Sequence, residues 1–523
     1  MHDPDFLFKS DDPDELSCGR LRRLSTADAN EVIQAIKGSN PKKESKKCVS
    51  IVPLLAIVIF VTIYVSPIFS LYPPAHTCLA ILVLGGILWG TEIIPSYITA
   101  YLMPFLSVWF SIGYDSQTGQ RMTASNLATQ IASKFMDPII FLFLGSLTMS
   151  AALTKLQITD RISSFALGRI TKRPHIILFT IMILNFTAAA FLSNIASTTL
   201  LLTFSLPIIR SLDPDDPFIK ALLFGLAWSG NAGGMVTTIA SVQNILAIKY
   251  INESGAASIS FIEWIAFAGP TAVTILLLDY GFLLFKYRTK VHMINVDTKS
   301  GSFGKWTWKH AFACIVTVLT IALWAMQETF PKFFGHVGIT ALIPVISFFS
   351  VKILNSDDFG HLRWSTLSLM GGGIALGEAM RVSGLLNLLS DAISSAMGGL
   401  SLWVVTFIFL LIEAVLVSVI NHTSAAAILF PVLNTIGQQI GNPTIFLTLS
   451  ALMIGNAQLF HISSFTTALV SGVQRHKKNE PTNLELDPFL PGPEFFTAGW
   501  IPVFLSVFLI GGLGYGLVIV LGL

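Results

Sequence analysis

Charge is what this sequence has least of. Only 12% of its 523 residues are Asp, Glu, Lys or Arg, about half the share of an ordinary soluble domain. A soluble fold of this length is thereby excluded. Cysteine is nearly absent too: Cys18, Cys48, Cys78 and Cys314 lie far apart, so neither a disulfide framework nor a cysteine metal site is indicated. No HExxH, phosphate-binding glycine loop, CxxC pair or nucleophile–base arrangement occurs, and without these an enzyme has no visible machinery. A net charge of +2 gives no footing for nucleic acid. The start, Met1-His-Asp-Pro-Asp-Phe6, lacks the basic and apolar regions of a cleavable signal peptide.

What the chain has instead is apolar length. Residues are 53% hydrophobic and mean hydropathy is +0.70. Runs of membrane-spanning length recur from end to end, which predicts an all-α polytopic membrane protein. Residues 1–47 read as a cytosolic disordered tail carrying a possible kinase motif, Arg22-Arg23-Leu24-Ser25. Lys42, Lys43, Lys46 and Lys47 precede the first span, 48–74, and place the N-terminus in the cytosol. A polar, basic linker at 287–310 is expected to be cytosolic and divides repeat 1 (75–286) from repeat 2 (311–523).

The halves echo one another. Ile98-Thr-Ala100 recurs as Ile339-Thr-Ala341, and Gly145, ten residues before Lys155, as Gly371, ten before Arg381. Ser193-Asn194-Ile195 recurs as Asn421-His422-Thr423, Gly230-Asn231-Ala232 as Gly455-Asn456-Ala457, and Ile239-Ala-Ser241 as Ile462-Ser-Ser464. Five matches in one order predict inverted repeats, with about 11 transmembrane helices plus two re-entrant helical hairpins. The hairpins are expected at 135–160 and 366–390, where Gly145-Ser146 and Gly371-Gly-Gly373 interrupt short apolar runs.

The candidate site lies in two knots of small, hydroxyl and amide residues. The first holds Ser193, Asn194, Ser197, Thr198 and Thr199; the second holds Asn421, His422, Thr423 and Ser424. Hydrocarbon tolerates such knots only where the backbone breaks and faces protein or a cavity. A glycine-rich stretch at 229–244 and its counterpart at 455–467 read as unwound backbone whose carbonyls hold a cation while helix N-termini hold an anion. His422 is a candidate donor to an oxyanion or a proton-sensitive group. The carboxylates Glu92, Asp279, Glu378 and Glu413 interrupt apolar runs and are functional candidates on that ground, with Glu378 and Arg381 spaced to pair. Small residues also serve helix packing, the plain alternative for any single one of them.

Residues 75 to 523 resemble the divalent anion:sodium symporter family. The resemblance rests on the paired motifs Ser193-Asn194-Ile195 and Asn421-His422-Thr423, on Thr91-Glu92-Ile-Ile-Pro95 through Pro104, and on Phe143-Leu-Gly145-Ser146. Ser241-Val-Gln-Asn244, Ile462-Ser-Ser-Phe465 and His422 look like the yeast-type low-affinity phosphate transporters of that family. Those carriers bear a long N-terminal SPX domain, and the short tail here is expected to lack one. The resemblance implies a secondary transporter of elevator type, carrying inorganic phosphate with Na⁺ or H⁺ and no other cofactor. It implies substrate contacts from Ser193, Asn194, Ser197, Asn421, His422 and Thr423. It places Na⁺ at Asn194 with Gly233, Gly234 and Thr237, and at Thr423 with Ser463 and Ser464. It further implies a homodimer in a plasma or vacuolar (acidic-organelle) membrane. A dicarboxylate, citrate or sulfate carrier is the alternative, and a non-transporting nutrient receptor a more remote one. A cation/proton antiporter would want Asp in the breaks, and 229–244 and 455–467 contain none.

Overall fold

A computed structural model describes residues 48–67, 72–115, 120–159, 161–162, 172–255, 259–289, 291, 293–294, 305–326, 336–397, 399–476 and 486–523. The tail 1–47, with its kinase motif, and half of the linker 287–310 lie outside these residues.

The first half opens with α1 (Cys48–Val65), α2 (Pro73–Thr91) and α3 (Ser96–Trp109). After a two-stranded ribbon, β1 (Tyr114–Asp115) with β2 (Gln120–Arg121), come α4 (Ala124–Phe135) and α5 (Pro138–Lys155). Then follow α6 (Pro174–Phe191), α7 (Asn194–Arg210), α8 (Pro217–Met235), α9 (Val242–Ser254) and α10 (Phe261–Lys286). The second half repeats this plan. It runs α11 (Trp308–Met326), α12 (Val337–Thr340), α13 (Leu342–Ser350), α14 (Ser356–Gly360), α15 (Trp364–Val382) and α16 (Leu385–Met397). It continues through α17 (Leu402–Val419), α18 (His422–Ile440), α19 (Pro443–Asn456) and α20 (Phe465–Ser471). A ribbon of β3 (Gln474–His476) and β4 (Leu486–Pro488) leads to α21 (Gly492–Leu509). That helix passes through a π-helical turn, Ile510–Gly514, into α22 (Tyr515–Val520).

Helix starts follow from local chemistry. Asp137, Asp216 and Asn442 cap α5, α8 and α19 through their side-chain oxygens, each just ahead of a proline in the first turn. There a missing N–H costs nothing and the fixed φ is already helical. Seven helical stretches among the described residues are long and apolar enough to cross a membrane, and the protein is an integral, multi-pass, all-α membrane protein.

The hairpins are not where the sequence places them. Both α5 and α15 are unbroken helices across Gly145 and Gly371. The paired arms are instead α6 and α7, joined at Leu192–Ser193. Asn185 of α6 donates to Thr198 of α7 at 3.2 Å, so the arms run antiparallel. In the second half α17 and α18 meet in the same way at Ile420–Asn421. The glycines misled because in membrane helices they serve close approach as often as unwinding. A Cβ on Gly145 would overlap the carbonyl of Ala341, and one on Gly372 would overlap Ala100. The contact is reciprocal: each half's glycine helix seats on the other half's Thr-Ala pair, as a two-fold relation requires.

The same correction applies to the stretch 229–244. Gly230, Gly233 and Gly234 lie inside α8, and only residues 236–241 are unwound. A Cβ on Gly233 would overlap the Phe186 carbonyl of α6, and one on Gly230 would overlap Thr198 of α7. Here glycine draws the hairpin onto α8.

Gly145→Val and Gly372→Val should each cost about 1–3 kcal/mol through overpacking, lowering the thermal midpoint of the detergent-solubilised protein. Gly86→Ala, with nothing within 4 Å of the new methyl, should leave the midpoint unchanged or slightly raised. Equal midpoints in all three would refute the packing role of the glycines.

Candidate functional site

Each knot sits where one helix ends and the next begins. Past Phe191 the backbone turns extended at Ser193 (φ −150°, ψ 134°), and α7 begins at Asn194. Past Val419, Ile420 is extended, and Asn421 caps α18 by accepting the Thr423 N–H at 3.0 Å. The two broken helices repeat the device. Ser241 is extended ahead of α9, and Ser464 is extended ahead of α20, accepting the Thr467 N–H at 3.2 Å.

These four helix starts line one cavity of about 510 Å³. Ser193, Asn194 and Ile195 come from the first knot and Asn421, His422 and Thr423 from the second; Ser241, Gln243, Ser464 and Phe465 come from the broken helices. The starts differ between the halves. Asn421 and Ser464 satisfy first-turn N–H groups with their own side chains, whereas Ser193 and Ser241 make no such bond. The first-turn N–H groups of α7 and α9 therefore lack side-chain caps, the arrangement that receives an anion.

The unwound segments are held by side chains. The Asn244 amide donates to the Gly234 and Thr237 carbonyls at 2.8 and 2.7 Å, and Ser241 donates to Gly234 at 2.8 Å. The Asn231 amide donates to Gln458 at 2.9 Å and Ser464 at 3.1 Å, and its oxygen accepts from Thr466 at 2.8 Å. His422 joins the second knot to the second break. Its backbone N–H donates to Ser463 at 2.9 Å and its Nε2 bonds the Ala457 carbonyl at 2.7 Å.

The structure thus brings Ser193, Asn194, Asn421, His422, Thr423 and Ser464 to one wall, with Gly234 just behind Asn194 and Ser241. It does not bring Ser197 there; that residue is fully buried and donates to the Asn194 carbonyl at 3.2 Å. Gly233 faces α6, Thr237 donates to the Ala190 carbonyl at 2.6 Å, and Ser463 donates to Phe460 at 2.8 Å. Of the four carboxylates singled out from sequence, only Glu92 lines the cavity. Glu378 pairs with Arg381 at 2.7 Å as its spacing predicts. Asp279 and Glu413 are buried elsewhere.

Sequence reasoning missed Arg363, which lines the cavity. Arg363 stands at the start of α15 beside an acidic turn and reads there as an interfacial charge. A signal existed: it lies eight residues before Gly371, where the first half has Asp137 eight before Gly145, so the repeat changes sign at this position. The cavity therefore has a guanidinium in its wall.

A family model described as a citrate transporter matches residues 86–473. An uncharacterized transporter of Schizosaccharomyces pombe is 31% identical over 87% of this chain and 51% of its own length. The inorganic phosphate transporter PHO87 of Saccharomyces cerevisiae is 30% identical over 71% of this chain and 40% of its own. The sodium-dependent dicarboxylate transporter SdcS of Staphylococcus saprophyticus is 24% identical over 66% and 72%. The chain spans about half the length, 51% and 40%, of the first two of these relatives. Among solved structures, the YdaH transporter of Alcanivorax borkumensis aligns with a TM-score of 0.53 at 12% identity, covering 82% of this chain and 99% of that one. That likeness shows the fold.

Removing the amides that brace the breaks should loosen them. Asn244→Ala and Asn231→Ala each strip hydrogen bonds from buried groups and should cost about 1–3 kcal/mol. Amide exchange should rise at 236–241 in the first variant and at 457–464 in the second. Unchanged protection would show that the breaks hold without them.

Proposed function

The chain belongs to the citrate-transporter family, and on that premise we propose that it is a secondary active transporter moving inorganic phosphate across its membrane, with Na⁺ or H⁺ as coupling ion. The observation that carries this reading is the meeting of four helix starts on one polar cavity, two of them lacking side-chain caps. Such starts bind a small anion through backbone N–H groups and the positive ends of helix dipoles. Ser193 and Asn194 on one side, and Asn421, His422 and Thr423 on the other, would close around it, with Ser197 supporting the first knot from behind. The yeast relative's name supports phosphate.

For a coupling ion the two halves offer different prospects. Beside Asn194, the Gly234 and Thr237 carbonyls are already engaged by Asn244, so Na⁺ there would have to displace that amide. Thr423, with Ser463 and Ser464, offers hydroxyl and carbonyl oxygens at the second break. Transport would proceed by an elevator motion of the hairpins and broken helices against the remaining helices, in a homodimer. A sodium-coupled dicarboxylate or citrate carrier is the second reading, favoured by the dicarboxylate relative at 24% identity.

Labelled phosphate should accumulate in proteoliposomes under an inward Na⁺ or H⁺ gradient and resist excess succinate. Asn194→Ala and Thr423→Ala should each lower uptake roughly 10- to 100-fold, the worth of a hydrogen bond to a charged group, with the protein still monodisperse. Phosphate uptake abolished by succinate would replace the substrate by a dicarboxylate. Uptake of no anion under either gradient would remove transport.

A further inference from the structure

We infer that the cavity selects an oxyanion that still carries a proton: Arg363 supplies the countercharge, and Nδ1 of His422 accepts the anion's O–H. This rests on the reading as a phosphate carrier and specifies how that substrate is told from its rivals.

The imidazole's proton placement follows from its partner. A carbonyl can only accept, so the Nε2 facing Ala457 at 2.7 Å carries the hydrogen. The neutral ring then presents a bare lone pair at Nδ1, and no described residue bonds that atom. The residue's backbone N–H is also committed, to Ser463 at 2.9 Å. His422 is 5% exposed and lines the cavity. All it can offer a ligand is an acceptor, the reverse of the donor role its type suggests.

Arg363 supplies the other requirement. Its guanidinium lies over the Phe465 ring, 5.3 Å from the centroid. Among the described residues it makes no hydrogen bond and no ion pair, Glu92 in the same cavity included. A cation kept without a carboxylate partner in an apolar protein is costly unless a ligand completes it. Five N–H donors in a planar fork match an oxyanion.

An anion fitting both groups has negative oxygens for Arg363 and an O–H for Nδ1. Near neutral pH phosphate and arsenate keep a proton; sulfate, fluorophosphate and succinate do not, and each would set a lone pair against Nδ1. A site built around one hydrogen bond rejects analogues lacking it far more strongly than a shape filter can.

The test is competition against labelled phosphate uptake by the full chain in proteoliposomes near neutral pH. Arsenate should compete within a few-fold of phosphate itself, and sulfate and fluorophosphate at least roughly 100-fold more weakly. His422→Ala should collapse the arsenate–fluorophosphate ratio about tenfold or more, while His422→Asn, whose Oδ1 can stand where Nδ1 stood, should restore much of it. Arg363→Gln should raise KM about tenfold or more for phosphate and arsenate alike, with Arg363→Lys recovering part. Glu92→Gln, which removes the carboxylate in the wall, should leave the ratio unchanged. The inference is overturned if fluorophosphate rivals arsenate in the wild type, if the ratio survives His422→Ala, if it follows Glu92, or if Arg363→Gln keeps a normal KM. A wild type that carries succinate or citrate but no phosphate would overturn the substrate reading first, and is distinguished by needing no variant.

Discussion

An unwound backbone inside an apolar protein must find its hydrogen bonds within the protein, because lipid supplies none. The site depends on that constraint. Two helices break, at 236–241 and 457–464, and each break frees several peptide groups. Asn244, Ser241 and Trp264 take up carbonyls of the first, the indole reaching Met235 at 3.0 Å. His422 takes up Ala457 and Ser463 of the second. The starts of α7 and α9 carry no side-chain cap, and both line the cavity. An anion would finish a bonding scheme that the side chains leave incomplete.

The framework around the cavity is nearly symmetric, and its charge is not. Gly145 on Ala341 and Gly372, next to Gly145's counterpart Gly371, on Ala100 are similar contacts, one from each half. Gly230 against Thr466 and Gly455 against Gln243 are another such pair. At the start of the two matching helices the symmetry fails. Asp137 caps α5 through the Ile139 N–H and approaches Lys249 at 3.7 Å, whereas Arg363 caps nothing and faces the cavity. Duplication alone would repeat the charge; here it changes sign, from Asp137 beside Lys249 to Arg363 in the cavity wall.

The knots were legible because polar clusters in apolar runs have few other uses, and Ser193, Asn194, Asn421, His422, Thr423 and Ser464 do share one wall. The repeat was legible too, since all five motif pairs fall on corresponding elements. The hairpins were misplaced because glycine has two uses in membrane helices, and sequence does not say which applies at Gly145 or Gly371. What those glycines touch lies far along the chain, on Ala341 for Gly145 and on Phe135 for Gly371. Arg363 was invisible because nothing local separates an arginine at a helix start facing water from one facing a cavity. The direction of the His422 hydrogen bond was equally hidden, since its partner Ala457 is a backbone carbonyl 35 residues on.

Asn231 has a bearing on how the protein is made. Its partners Gln458, Ser464 and Thr466 lie 227, 233 and 235 residues further along. At about 5–20 residues per second, the ribosome needs roughly 10–50 s to reach them. Through that interval the first repeat waits in the membrane with a buried amide exposed in α8 and nothing to bond it. The Asn231 side chain is therefore satisfied as it is in the folded protein only once the second repeat is in place.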